Sequence, residues 1–380
     1  KVYVTGFQYN SLGQLIRIDG PRTDVADITV VAYHPNDASQ GSNRGRLMTI
    51  TDAAGHITQY SNYDANGNVG TITDRNGVIT DLSYDQRNRI RSITNRSMNA
   101  VTQYLYDSRG NISSIIPPEG DRLGFTYNPA DRVTEITDNL GNMIKHDYDV
   151  EGNRISESTY DPQQHLKKSL TFAFDAYNRL KTVINADATY SEYTYDGKGN
   201  RTGARDARGN ATSYTYDSLD RLIQTTGPLT TITDQAYDTQ DNLMSVTDPN
   251  EDTTQYWFDD FGRKNHSISP DTGTTQYHYD EAGNLTQQVD AKGTAINYTY
   301  DALNRVTSVR FPSDPGQNIT YAYDSPSVSY GIGRLTGRID PSGTYVFHYD
   351  AQGNMTKEEK ITASEKTARF CALSKLSTFS

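Results

Sequence analysis

The residues with most to offer a reaction are the aspartates. They recur in pairs ten apart, as Asp196 with Asp206 and Asp280 with Asp290, and two carboxylates flanking one bond are what glycoside hydrolysis uses. The same spacing returns in unit after unit, whereas an active site is needed once and a turn residue in every turn. The pairs therefore read as structural. A calcium loop is the next candidate at Asp64-Ala65-Asn66-Gly67-Asn68. The helix–loop–helix calcium motif needs glycine sixth and glutamate twelfth, but here glycine comes fourth and position twelve is Arg75, a cation. His34, His56, His146, His165, His266, His278 and His348 never fall at zinc-ligand spacing, and Cys371 has no second thiol to pair with. No nucleophile elbow, P-loop or dinucleotide fingerprint is present. No catalytic, cofactor-binding or metal residue is assigned, no binding residue can be picked out, and the chain reads as no enzyme.

What positions these residues is a repeat. The stretch Tyr195-Asp196-Gly197-Lys198-Gly199-Asn200-Arg201 returns as Tyr216-Asp217-Ser218-Leu219-Asp220-Arg221-Leu222 and as Tyr279-Asp280-Glu281-Ala282-Gly283-Asn284-Leu285. From Phe174 the head aromatic recurs at Tyr195, Tyr216, Tyr237, Phe258, Tyr279 and Tyr300, in six steps of 21 residues. A fixed period marks a repeat architecture. Earlier heads stand at Tyr9, Tyr33, Tyr63, Tyr84, Tyr106, Tyr127 and Tyr148, and later ones at Tyr323 and Tyr349. Irregularities fall in the turns: polar inserts at 35–44 and 325–332, and extra residues around Asp161–His165.

Each unit reads as a β-hairpin. Tyr214-Thr215-Tyr216 and Tyr298-Thr299-Tyr300 alternate at the strand period, which puts both tyrosines on one face. The fifth head position is Gly67, Asn88, Gly110, Asp131, Gly152, Asn178, Gly199, Asp220, Asp241, Gly262, Gly283 or Asn304. These three residue types tolerate a left-handed backbone best, so this slot is expected at positive φ. The aspartate after the head aromatic is placed to cap the turn. A second turn follows at Asp74-Arg75-Asn76-Gly77 and Asp206-Ala207-Arg208-Gly209. The register of the second strand stays open. Leu243 and Val246 are three apart and call for a bulge, whereas Leu285 and Val289 alternate.

Sixteen heads imply about thirty strands, and at roughly 4.8 Å per strand a flat sheet would reach about 150 Å. Open sheets of that width curl. The fold expected is all-β: tandem hairpins of about 21 residues in a curled, spiralling sheet, a partial hollow shell. The repeat array is taken as 1–356 and a non-repeat tail as 357–380. The tail lacks Gly, Pro, Asp and Tyr, opens on Lys-Glu-Glu-Lys, and is expected to be frayed or loosely helical outside the sheet.

Composition agrees. Only 34% of residues are hydrophobic, low for a globule but suited to a thin layer. Disorder is excluded by 28 tyrosines and 10 phenylalanines, many at fixed spacing. A net charge of −11 argues against nucleic acid as a partner, and no run of 18 apolar residues could span a membrane. The chain opens at Lys1 within a repeat, so it is expected to be part of a longer protein. The tyrosine stripes with the inserts 35–44 and 325–332 leave a second reading, a carbohydrate-binding or cell-surface-binding module.

The heads Tyr279-Asp280-Glu281-Ala282-Gly283-Asn284-Leu285 and Tyr300-Asp301-Ala302-Leu303-Asn304-Arg305-Val306, repeated from Tyr9 to Met355, resemble the YD-repeat or Rhs family. That family includes bacterial Rhs and wall-associated proteins, shell subunits of insecticidal toxin complexes, and teneurins. The resemblance implies a spiralling sheet closing into a hollow shell, further repeats and a C-terminal toxic effector as partners, no cofactor, and life in secretion or on a bacterial surface. In the toxin shells an acidic self-cleaving segment follows the repeats, and nothing after Met355 looks like it. Asp340-Pro341-Ser342-Gly343 occupies an ordinary second turn.

Overall fold

The structure is a computed structural model that describes residues 2–362 and 366–370. It is all-β. The strands of the described residues belong to one antiparallel sheet, in which pairing runs between strands next to one another in sequence. Three short 3₁₀ turns, at Ala38–Asn43, Pro228–Thr230 and Pro315–Gln317, interrupt it.

One hairpin stands for the rest. Ala211–Tyr216 pairs with Leu222–Thr226, with Tyr214 opposite Thr225, Thr215 opposite Gln224 and Tyr216 opposite Leu222. The register skips Ile223, a bulge on the second strand. The same skip stands beside the head aromatic at every head but Tyr63. This resolves the register left open above. Leu243 lies opposite Tyr237 and Val246 opposite Gln235, so with Met244 bulged both share the tyrosine face. Leu285 and Val289 do not share a face, because Val289 stands opposite Gln276. The twelve fifth-position residues from Gly67 to Asn304 all have positive φ, from 58° at Asp131 to 110° at Gly110.

The chain divides into two compact units, Lys1–Val101 with Thr274–Ser380, and Thr102–Gly273. The second unit is a run of hairpins whose few buried residues include Met143, Ser114 and Ser267. In the first unit the early and late repeats lie against each other, as a curled sheet brings them. Most of the core collects in this unit: Val78, Val328, Tyr345, Phe347 and Ala351, with Arg22, Thr71 and Thr336.

The tail corrects the sequence reading. Strand Met355–Ile361 pairs with Gly343–Tyr349, and Lys366–Phe370 adds beyond it. The boundary drawn between 356 and 357 therefore falls inside a strand. Helix propensity differs by only a few tenths of a kcal/mol per residue for Lys and Glu, whereas the edge of Gly343–Tyr349 offers backbone groups that must find partners. Lys360 also lies over the Tyr345 ring at 5.2 Å, so the charged run has a use on the sheet. The expectation for residues 363–365 and 371–380 lies outside the described residues.

Candidate functional site: the turns and their bridges

The aspartates are consumed by the turns. Asp206 Oδ1 accepts the N–H groups of Arg208 and Asn210 at 2.9 and 2.8 Å, and its Oδ2 accepts the Asn210 amide at 2.8 Å. Asp196 does the same with Lys198, Gly199 and Asn200 at 2.8–3.0 Å. In other heads an arginine takes the second oxygen, as Arg89 Nε does at Asp85, 2.7 Å. Asp196 and Asp206 sit at opposite ends of strand Arg201–Arg205. Five residues at about 3.3 Å each hold their turns about 17 Å apart, beyond the 9.5 Å or so that a glycosidase pair spans. Asp280 and Asp290 flank Leu285–Val289 in the same way. The Arg89 guanidinium holds the Asp85 carboxyl down at about 2. At Asp196 burial pushes upward, but the Asn200 amide and the turn N–H groups hold the carboxyl below its ordinary value. An acid held down in this way keeps no proton to donate at neutral pH.

Asp64, the calcium candidate, spends Oδ1 on Asn66 and Asn68 N–H and Oδ2 on the Asn68 amide, all at 2.8–2.9 Å. Among the described residues no group of three His, Cys, Asp or Glu could hold a metal. No helix there is long and apolar enough to cross a membrane.

The heads are stitched together by a grammar that sequence reasoning missed. From Arg46 to Arg305 the sixth head position alternates arginine and asparagine: Arg46, Asn68, Arg89, Asn111, Arg132, Asn153, Arg179, Asn200, Arg221, Asn242, Arg263, Asn284, Arg305. Each kind reaches forward differently. Asn68, Asn111, Asn153, Asn200 and Asn284 donate from Nδ2 to the fifth-position side chain of the next head, Asn88, Asp131, Asn178, Asp220 and Asn304, at 2.7–3.0 Å. Arg179 and Arg221 donate to the next head's backbone carbonyl at 2.8 and 2.9 Å and lie 4.7 and 5.0 Å from the next tyrosine ring. A Cβ on Gly67 or Gly152 would collide with the guanidinium of Arg46 or Arg132. So an acceptor follows asparagine, and glycine usually follows arginine. Asp241, paired with Arg221 at 2.9 Å, and Gly262, after Asn242, break that rule. The signal was in the sequence, at twice the obvious period.

The head tyrosines add a second stitch. Tyr195, Tyr237 and Tyr300 donate from their hydroxyls to the carbonyls of Leu180, Leu222 and Leu285 at 2.7, 3.0 and 2.8 Å, each acceptor lying beside the bulge of the preceding unit. The tyrosine stripe is thus partly structural.

Within the first unit three contacts join early repeats to late ones. The Arg22 side chain, 2% exposed, is held by Asp24 and reaches the Asp301 carbonyl and Asn304. Asn76 exchanges two hydrogen bonds with the backbone of Ile332, at 2.9 and 2.8 Å. His56 lies between Asp52 and Asp324. The 325–332 insert, offered above as a binding loop, is thus held on its own chain, with Val328 buried at 5% exposure. In the other insert Asn43 accepts the Tyr63 N–H at 3.0 Å. Spacing arguments could not find these contacts, because nothing local says which distant turns meet. Only the break in the repeat between Gly20 and Asp27 hinted at Arg22.

A sheet of aspartate-capped hairpins with aromatic heads defines a repeat-built wall. The teneurin YD-shell family model matches residues 33–165 and 139–366, and the chain belongs to that family. In the crystal structure of TcdB2-TccC3 the matching chain is 14% identical with a TM-score of 0.66, over 96% of this chain and 24% of that one. A Tc holotoxin pore of Photorhabdus luminescens carrying a TccC3 mutation matches at 16% identity and a TM-score of 0.52, over 97% and 19%. The chain spans about a quarter of those proteins or less, and at such identity the likeness is one of fold. No curated protein matches the sequence.

Proposed function

We propose that the chain is a stretch of wall in the shell of an Rhs-like secreted or surface toxin protein, whose further repeats and C-terminal effector complete the parent molecule, and that it catalyses nothing itself. The observation that carries this reading is the uniformity of the turns within a YD-shell family member: carboxylates that another chemistry would use are bonded to their own backbones. Protease treatment of the parent protein tests it. Polypeptide beyond Ser380 is expected to survive digestion until the shell is denatured. Its free digestion, or a parent with no polypeptide there, refutes enclosure.

One observation favours a surface-binding role beside this one. Trp257, 37% exposed, stacks on His266 with ring centroids 4.3 Å apart, the kind of flat apolar platform on which sugars stack. A glycan array tests it, and loss of any signal in Trp257→Ala would assign the platform.

A further inference from the structure

We propose that the joint between the heads at Tyr148 and Phe174 is a seat for a guanidinium: Glu151, the Asn178 side-chain oxygen and the carbonyls of Phe174 and Asp175 take an arginine side chain of a partner polypeptide. The inference goes beyond the wall reading and does not depend on any enclosed cargo.

The arginine joints fill themselves, as those of Arg179 and Arg221 do. Three of the asparagine joints among the described residues hold a cation from elsewhere. At the Asn111 joint it is Arg109, the fourth residue of the same head. Arg109 pairs with Asp131 Oδ1 at 3.0 Å and donates to the Asn128 carbonyl at 2.9 Å. At the Asn200 joint it is Lys198, again the fourth residue, 2.9 Å from both Asp220 Oδ1 and the Ser218 carbonyl. At the Asn284 joint the fourth residue is Ala282, which has nothing to donate. Arg22 arrives there from the early repeats and donates to the Asp301 carbonyl, to the Tyr300 carbonyl at 3.4 Å and to Asn304 Oδ1 at 3.3 Å. In all three the fifth-position oxygen that accepts the asparagine amide accepts the cation too. Arg22 shows that the cation need not belong to the neighbouring head.

The Asn153 joint has the acceptors and no cation. Asn178 Oδ1 takes the Asn153 amide at 3.0 Å, as Asn304 Oδ1 takes that of Asn284. The fourth residue is Glu151, an exposed anion where Arg109 and Lys198 stand in their heads. Asp149 is spent on Gly152 and Asn153, and Asp175 on Arg179. Among the described residues no cation pairs with Glu151. Arg132, whose guanidinium lies against Gly152, serves the preceding joint. A cavity of about 400 Å³ opens between Glu151, Asn153, Phe174, Asp175 and Asn178. The two remaining asparagine joints differ. At Asn68 the Asn66 amide already bonds Asn88 Oδ1 at 2.8 Å, and at Asn242 the fifth position is Gly262, with no side-chain oxygen.

The spread of acceptors selects a guanidinium over an ammonium. A planar fork of five N–H donors meets several separated oxygens at once, whereas the three donors of an ammonium diverge from one point. Arg22 does this at its joint, with Nη1 on Asp301 and Asn304 and Nη2 on Tyr300. At the Asn153 joint Glu151 adds a carboxylate, which strengthens hydrogen bonds from a charged donor.

NMR of the Asn153 and Asn178 side-chain amides in the 380-residue chain tests this, with the capped tripeptide Gly-Arg-Gly as probe. A saturable shift at Asn178 is expected, with half-saturation near about 1 mM, while the Asn200 amide stays put. The same peptide with lysine should bind several-fold more weakly, and with citrulline not measurably. Glu151→Gln should weaken binding up to about fivefold. Glu151→Arg restores a fourth-position cation at this exposed site, so it should abolish the peptide response and slow exchange of the Asn178 N–H. No shift with the arginine peptide, an equal response to the citrulline peptide, or a response that survives in Glu151→Arg overturns the seat. Free arginine bound more tightly than the peptide would make the ligand a small molecule and overturns the polypeptide partner.

Discussion

Replacing Gly199 by valine isolates the backbone demand of the head turn. Gly199 has φ 102°, and a Cβ built there meets nothing within 4 Å, so no collision contributes. What remains is the strain of an L-residue in a left-handed conformation, about 1–2 kcal/mol. Relaxing toward the φ of 60–64° found at Asn178 and Asp220 would shift the Gly199 N–H that Asp196 Oδ1 accepts at 2.8 Å. A repeat array opens locally, so hydrogen exchange across residues 196–201 is a better readout than a global midpoint. A penalty of 1–2 kcal/mol should speed exchange there about 5- to 30-fold. Gly197 is the control, two residues away in the same turn, also with open space around its Cβ and without a positive φ. Gly197→Val should change exchange little, and Gly199→Asn should cost less than Gly199→Val. If the two valine variants behave alike, the reasoning from φ is wrong.

Tyr237→Phe removes the hydroxyl that donates to the Leu222 carbonyl at 3.0 Å and leaves the ring under Arg221. A loss of about 0.5–1.5 kcal/mol is expected, read as faster exchange in Leu222–Thr226; the array already carries Phe174 and Phe258 at the same place in two other heads. The Arg89 guanidinium holds the Asp85 carboxyl at about 2, below its ordinary value of 3.8. Its contribution is therefore present above pH 4 and lost as pH falls from about 4 to 2, which a carboxyl NMR titration would follow. In Asp85→Asn that acid-side loss should disappear. Arg22→Ala removes charged hydrogen bonds, each contributing about 1.5–3 kcal/mol. It should expose the amides of 300–304 to exchange while leaving those of the second unit as they were.

The local architecture was legible because each repeat states it again. One glycine would say little, but Gly, Asn and Asp confined to one slot at twelve heads could mean only a positive φ. The aspartates could be set aside as catalysts for the same reason. The bulge was half visible, since Leu243 and Val246 demanded it while Leu285 and Val289 concealed it. The contacts of Arg22, His56 and Asn76 were invisible because they depend on how the sheet brings distant turns together. The tail was misread for the opposite reason. Lys357–Lys360 has a local preference for helix, and the neighbouring strand edge overrode it. The 325–332 insert is polar and long, and nothing in its sequence says that Asn76 bonds its end at Ile332.

The alternation of arginine and asparagine at the sixth head position has a consequence for how such arrays grow and shrink. The hairpin has a period of one, but the joint between hairpins has a period of two. A gene deletion that excised the unit bearing Arg179 would leave Asn153 facing Gly199, with no side-chain acceptor for the amide that now bonds Asn178. Excising the units bearing Arg179 and Asn200 together would leave Asn153 facing Asp220, restoring an acceptor. Recombination within an array of this kind should therefore leave viable products in even steps, about 42 residues at a time, and a library of single-repeat and double-repeat deletions would reveal that parity in its soluble fraction.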